Sequence, residues 1–339
     1  MLDHTGALGW GWVGVDVFFV LSGFLITTLL FEERERNGRI SLRAFYKRRA
    51  RRLLPGLFLL LAFVTVAETR FGLFPSSWPL WKELLTTVLY VNNLVMATGI
   101  SPLGPLTLTW SLAQEEQFYM FWPVLLCLLW RLRSRPVVVL AFLTAVVGAV
   151  FWYLPHFGFD ADPNNYYNVI DRFGELLIGC TAALLRRYRI VHHLLRWSAP
   201  ALVFVWAIGW FPDLTGYPLR PRLVGAAVAA ALLVLHAATG PRSWLSRALS
   251  LPPLRYIGTI SYGLYLYHMA ILMLLQQALP GISWKESTAI VLPVSIVVAA
   301  ASWHSIESRF LRRPRRRRSR QQRQTRQRAA TATTAQEQP

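Results

Sequence analysis

Apolar stretches close to the length of a bilayer span recur from one end of this chain to the other, at residues 10–31, 53–69, 83–98, 109–130, 136–154, 169–185, 198–212, 222–239, 257–277 and 287–306. A helix needs about 20 such residues to cross the hydrocarbon core of a membrane. In lipid only a helix satisfies its own backbone within one segment. Charged residues make up 16% of the chain and mean hydropathy is +0.36, where a soluble domain carries about 25% charged residues. The fold class is therefore all-α, a polytopic helical membrane bundle. Cys127 and Cys180 both fall inside apolar runs and read as small buried hydrophobes.

Net charge is +19, with Lys and Arg together numbering 36 against 17 acids. A nucleic-acid binder would gather such charge on one soluble face. Here it sits between apolar runs, from Arg34 to Arg52, from Arg131 to Arg135 and from Arg186 to Arg189, and in the tail from Arg312 to Arg328. That is the positive-inside pattern of cytoplasmic loops, so no nucleic-acid partner is expected. The first run then crosses from outside to inside, and residues 53–69 cross back. Residues 109–130 must return to the basic loop that follows them, so 83–98, with Lys82 just before it, Glu83 at its start and Asn92 and Asn93 within it, cannot cross fully. The expectation is about nine full spans, with 71–108 an outer-side re-entrant or interfacial excursion. Residues 1–311 form the membrane domain, and 312–339 a basic, disordered cytoplasmic tail. The N-terminus falls outside with no preceding signal, which suggests that one further span precedes Met1.

Ionisable groups inside a membrane are expensive and mark functional sites by default. The set comprises Asp16, Glu115, Glu116, Arg172, Glu175, His268, His304 and Glu307. None of it has metal-ligand spacing, and no metal is expected. Arg172 and Glu175, three apart, either neutralise each other or bind an acceptor. Spacing does not decide which of Glu115 and Glu116 turns inward. His268, among Tyr262, Tyr265 and Tyr267, reads equally as a hydrogen-bonded core histidine.

Six motifs in order resemble the acyltransferase 3 family. They are Gly14 to Ile26, which reads Gly14-Val15-Asp16-Val17-Phe18-Phe19 at its start, the basic Phe45 to Pro55 with Arg49 and Arg52, Trp110-Ser111-Leu112-Ala113-Gln114-Glu115-Glu116-Gln117-Phe118-Tyr119, Arg172 to Gly179, Ile260 to His268, and Ser302 to Glu307. The resemblance covers residues 4–311. It implies a ten-helix membrane O-acyltransferase of the bacterial inner membrane, C-terminus cytoplasmic, in the form without a fused hydrolase-like domain. Such an enzyme takes an acyl group, usually acetyl, from acyl-CoA and delivers it to a hydroxyl of a surface carbohydrate or a macrolide-like metabolite. No permanently bound cofactor is expected.

Carried onto this sequence, the resemblance makes His4 the candidate general base, with Asp16 beside it and Glu116 as a further catalytic carboxylate. Arg49 and Arg52 become candidate ligands of the CoA phosphates, suited to bidentate contact. Glu115, Arg172, Glu175 and His268 become candidates for substrate binding. The family's first helix and its Arg would precede Met1, which leaves an inactive truncated member as one alternative. A secondary transporter is the other, since intramembrane acids, Arg and His also line transport paths.

Overall fold

A computed structural model of the chain describes residues 12–74, 78–100, 104–131, seven positions between 138 and 149, residue 167, and residues 169–188, 219–239 and 244–311. His4, the run at 198–212, the loop at 155–166 and the tail from 312 lie outside the described residues. Within them the chain is helical, with no strand. The long helices are α1 (Trp12–Asn37), α2 (Leu42–Phe71), α5 (Thr109–Arg131), α6 (Val169–Leu185), α7 (Leu219–Thr239), α9 (Pro252–Ala278) and α10 (Trp284–Ser302). Short ones are α3 (Leu80–Val88), α4 (Asn92–Ala97), α8 (Trp244–Leu249) and α11 (Ser308–Leu311). Four described segments are long and apolar enough to cross a membrane, Val13–Asn37, Leu42–Phe71, Pro252–Ala278 and Trp284–Leu311. Their exposed side chains, such as Leu25, Leu29, Phe58, Val66 and Val297, are apolar, as lipid-facing positions require.

Local chemistry sets the helix ends. Ser41 caps α2 by accepting from the Ala44 N–H at 3.3 Å, and Glu33 at the end of α1 accepts from the Ser41 N–H at 3.0 Å. The connection from α1 to the arginine-rich start of α2 is thus held from both sides. Gly72, left-handed at φ 60°, closes α2 and suits a residue without Cβ. At α10, Ser283 and Glu286 form a reciprocal capping box.

The segment between α2 and α5 does not form a single helix. It breaks at Tyr90, whose φ of 54° is left-handed, an uncommon state for a residue with a side chain. The break is tied down: the Tyr90 carbonyl accepts from Gln117 Nε2 at 2.7 Å. Asn92 donates to Thr87 and Thr109 hydroxyls at 2.9 and 2.5 Å. Of the polar residues that argued against a full crossing, Glu83, Asn92 and Asn93 are buried in protein, as non-helical backbone at membrane depth demands, while Lys82 stays exposed beside Trp78 and Trp81.

Two helix packings position the site. α1 and α6 cross at their backbones. A Cβ on Gly23 would stand 2.0 Å from the Leu176 carbonyl oxygen, and one on Gly179 would stand 2.1 Å from that of Val20. Such small-residue crossings are how membrane helices gain contact where burial alone gives no advantage. α9 packs on α2 and α10 around Leu57, Leu60, Ile260, Leu266 and Ala299, while α5 fills the gap beside α1 with Trp110, Phe118 and Trp122.

Candidate active site

Polar side chains gather where α1, α2 and α5 meet. Arg49 on α2 donates to Glu116 Oε1 from Nε at 3.1 Å and from Nη2 at 2.5 Å. The same Nη2 lies 3.7 Å from Glu115 Oε1, and the guanidinium carbon sits 3.5 Å over the Tyr119 ring. Glu115 accepts from the Ser22 and Tyr119 hydroxyls, both at 2.6 Å. Both adjacent acids therefore turn toward the same cation, because the long Arg49 side chain spans the roughly 100° that separates neighbours on a helix. Glu115 is nearly sealed at 7% side-chain exposure, whereas Arg49 keeps 22% and Glu116 17%. Arg52, one turn along α2, is exposed, and its charge reaches Glu307. The two arginines are thus unequal: one is committed to carboxylates and one is open.

A second cluster joins α1 to α6. Arg172 Nη1 donates to Asp16 Oδ1 at 2.7 Å and to Glu175 Oε1 at 2.6 Å, and all three side chains are 0–1% exposed. The guanidinium also lies 5.8 Å from the Trp110 ring centre. The spacing of Arg172 and Glu175 anticipated their pairing, and Asp16 arrives from another helix to make it a triad. On α5, Gln114 donates to the Tyr167 carbonyl at 2.7 Å, closing the wall between α5 and the start of α6.

His268 is buried, and its Nδ1 faces the Leu264 and Tyr265 carbonyls of its own helix at 3.0 and 2.9 Å. Its neighbour Tyr265 does reach across, pairing with Ser111 at 2.5 Å and stacking on Phe18. The last motif forms a third polar group. Ser302 donates to Glu307 at 2.6 Å and meets the Tyr267 hydroxyl at 2.8 Å. A π-helical turn, Trp303–Glu307, carries Glu307 inward. Residues that the sequence reading did not single out include Ser22, Tyr119 and Tyr267. A hydroxyl within an otherwise apolar run was the one available signal for Ser22.

The constellation that unites an Arg from the basic motif, two acids of the Trp-Ser-Leu motif and a Ser of the first motif now stands as one place. A family model described as an acyltransferase domain matches residues 2–304. The chain belongs to the acyltransferase 3 family. Peptidoglycan O-acetyltransferase OatA of Listeria monocytogenes is 30% identical over 336 residues, covering 91% of this chain and 52% of that protein. Putative peptidoglycan O-acetyltransferase YrhL of Bacillus subtilis is 31% identical over 330 residues, covering 88% and 50%. O-acetyltransferase OatA of Staphylococcus aureus is 28% identical over 296 residues, covering 80% and 48%. The acyltransferase 3 chain described here thus spans about half the length of these curated relatives. No solved structure matches it.

Proposed function

We propose that this chain is the membrane unit of an O-acyltransferase that moves an acetyl group from acyl-CoA toward a hydroxyl of a cell-envelope carbohydrate, peptidoglycan being the first candidate. The observation that carries the reading is the joining of Arg49, Glu115, Glu116, Ser22 and Tyr119 from three helices into one partly open cluster. The names of the relatives, peptidoglycan O-acetyltransferases among them, support the carbohydrate acceptor and the acetyl group.

Roles follow from exposure. Arg52 is open to an incoming anion, and Arg49 can exchange Glu116 for a phosphate oxygen, since both are only partly sealed. Together they bind the donor's pyrophosphate from the cytoplasmic side, the side to which the basic connection between α1 and α2 is assigned. Glu116, released from Arg49, becomes available as a catalytic carboxylate. Glu115, held by two hydroxyls, stays in place and keeps the cluster anchored to α1. His4 is the general base for the acceptor hydroxyl. In the reaction the acceptor O–H and the donor C–S bonds break, the ester C–O bond forms, and the proton ends on the leaving thiol.

The test is transfer of radiolabelled acetyl from acetyl-CoA to peptidoglycan fragments by the chain reconstituted in vesicles. Label should reach the fragments, and Glu116→Ala should abolish transfer while the protein remains inserted. Label uptake into the vesicle lumen without ester formation would favour the transporter reading.

A further inference from the structure

The triad of Asp16, Arg172 and Glu175 does not balance as drawn from ordinary charges. It has one cation and two carboxyls, with 0–1% of each side chain exposed. Among the described residues, the charged groups acting on either carboxyl are Arg172 and the other carboxyl. The acids of α5 are not available to alter this count, because Glu115 and Glu116 are engaged by Arg49. From α5 and the start of α6 the facing groups are the Trp110 ring and Tyr167. From α7, Ala227, Ala230 and Ala231 pack where Val20 and Phe24 meet α6. An uncompensated buried anion would be left, and proteins avoid that by binding a proton.

Geometry says where the proton goes. Both carboxyls use one oxygen on the same Arg172 nitrogen. Their other oxygens, Asp16 Oδ2 and Glu175 Oε2, are buried with no donor among the described residues. The two carboxyls also stand within hydrogen-bonding reach of each other. Two carboxyl groups that can only accept and stand side by side repel unless one carries a hydrogen, in which case they bond.

We propose that Asp16 and Glu175 share one proton beside Arg172, making the triad a neutral, proton-bearing brace that fixes the start of α1 against α6. Its members are positioning residues: they hold the Ser22 anchor of α1 in register over the Gly23–Gly179 crossing. The brace is sealed, so its proton exchanges only when the crossing opens. This inference concerns protonation and holds whether or not the chain transfers acetyl groups.

Infrared spectra of the full chain in lipid at neutral pH read the proton directly, as the carbonyl stretch of a neutral carboxylic acid that shifts down in D2O. The band should be present in the parent protein and missing from the spectra of both Asp16→Asn and Glu175→Gln, since each leaves a balanced pair of one acid and Arg172. Arg172→Gln should instead roughly double it, because both buried carboxyls then become neutral. A plain structural ion pair of two ionised acids gives no such band, and its absence from the parent protein would overturn the proposal without any variant being needed. A band that survives both single substitutions belongs to another acid and overturns it equally.

Discussion

The two ionic clusters of this protein use the same residue types to opposite ends. At the crossing of α1 and α6, Arg172 and its acids are wholly sealed. Where α2 meets α5, Arg49 and Glu116 form an equally short contact but keep a fifth of their surface open. A sealed cation cannot change partners without exposing a buried charge, which costs several kcal/mol. A half-open one can, because water and an incoming anion take over the vacated bonds. The first cluster is therefore suited to holding helices, and the second to handling a ligand.

The largest test of this contrast acts on the sealed side. Gly179→Leu, or Gly23→Leu, drives a side chain into a backbone carbonyl that cannot retreat. It should destabilise the protein by upwards of about 3 kcal/mol, read as loss of folded protein in thermal unfolding after detergent extraction. Gly14→Ala, where an added Cβ meets nothing within 4 Å, should be neutral or stabilising by up to about 1 kcal/mol. Equal damage from both would remove the crossing from its special place.

Next in size is Glu115→Ala, which strips the Ser22 and Tyr119 hydroxyls of their acceptor and leaves Arg49 short of one anion. The expected cost is about 1–3 kcal/mol, together with a clear loss of acetyl transfer. Unfolding midpoints and initial rates measured on the same preparation give both numbers.

The arginines sharpen the comparison further. Arg52→Ala should raise the KM for acetyl-CoA about tenfold, near 1.4 kcal/mol, with kcat little changed, since the carboxylate its charge reaches, Glu307, keeps its bond from Ser302. Arg49→Ala should depress kcat as well, because it leaves two carboxylates facing each other. Identical kinetic effects from the two substitutions would mean that their difference in exposure is irrelevant to function. Smallest of all, Ser283→Ala at the capping box of α10 should cost about 1 kcal/mol and leave transfer rates alone, by the same unfolding and activity assays.

Much of this was legible from the residues. Apolar run length located most of the long helices that the structure describes, and the segment 83–98, whose polar residues counted against a full crossing, is broken into α3 and α4. Of the membrane charges named from sequence, Asp16, Arg172 and Glu175 form one cluster, and Glu115 and Glu116 form another with Arg49 of the basic motif. Their grouping was not legible. Arg49 and Arg52 share a helix face by spacing, yet tertiary partners divide them, because only Arg49 meets α5. Asp16 joins Arg172 across 156 positions of sequence, a pairing no local period encodes. Gly23 and Gly179 look like any small residues until the two backbones are seen to touch.

The π-helical turn at Trp303–Glu307 has a consequence of its own. Such a turn holds one residue more than the surrounding helix needs, and each residue advances a helix by about 100°. Deleting a single residue there would let the segment relax into an uninterrupted helix, but everything beyond would be dialled round by that angle. Glu307 would swing away from Ser302 and Tyr267, and Arg52 would lose the carboxylate its charge now reaches. The extra residue works as a fixed rotational offset, a one-position insertion that sets the heading of the chain's last described turn.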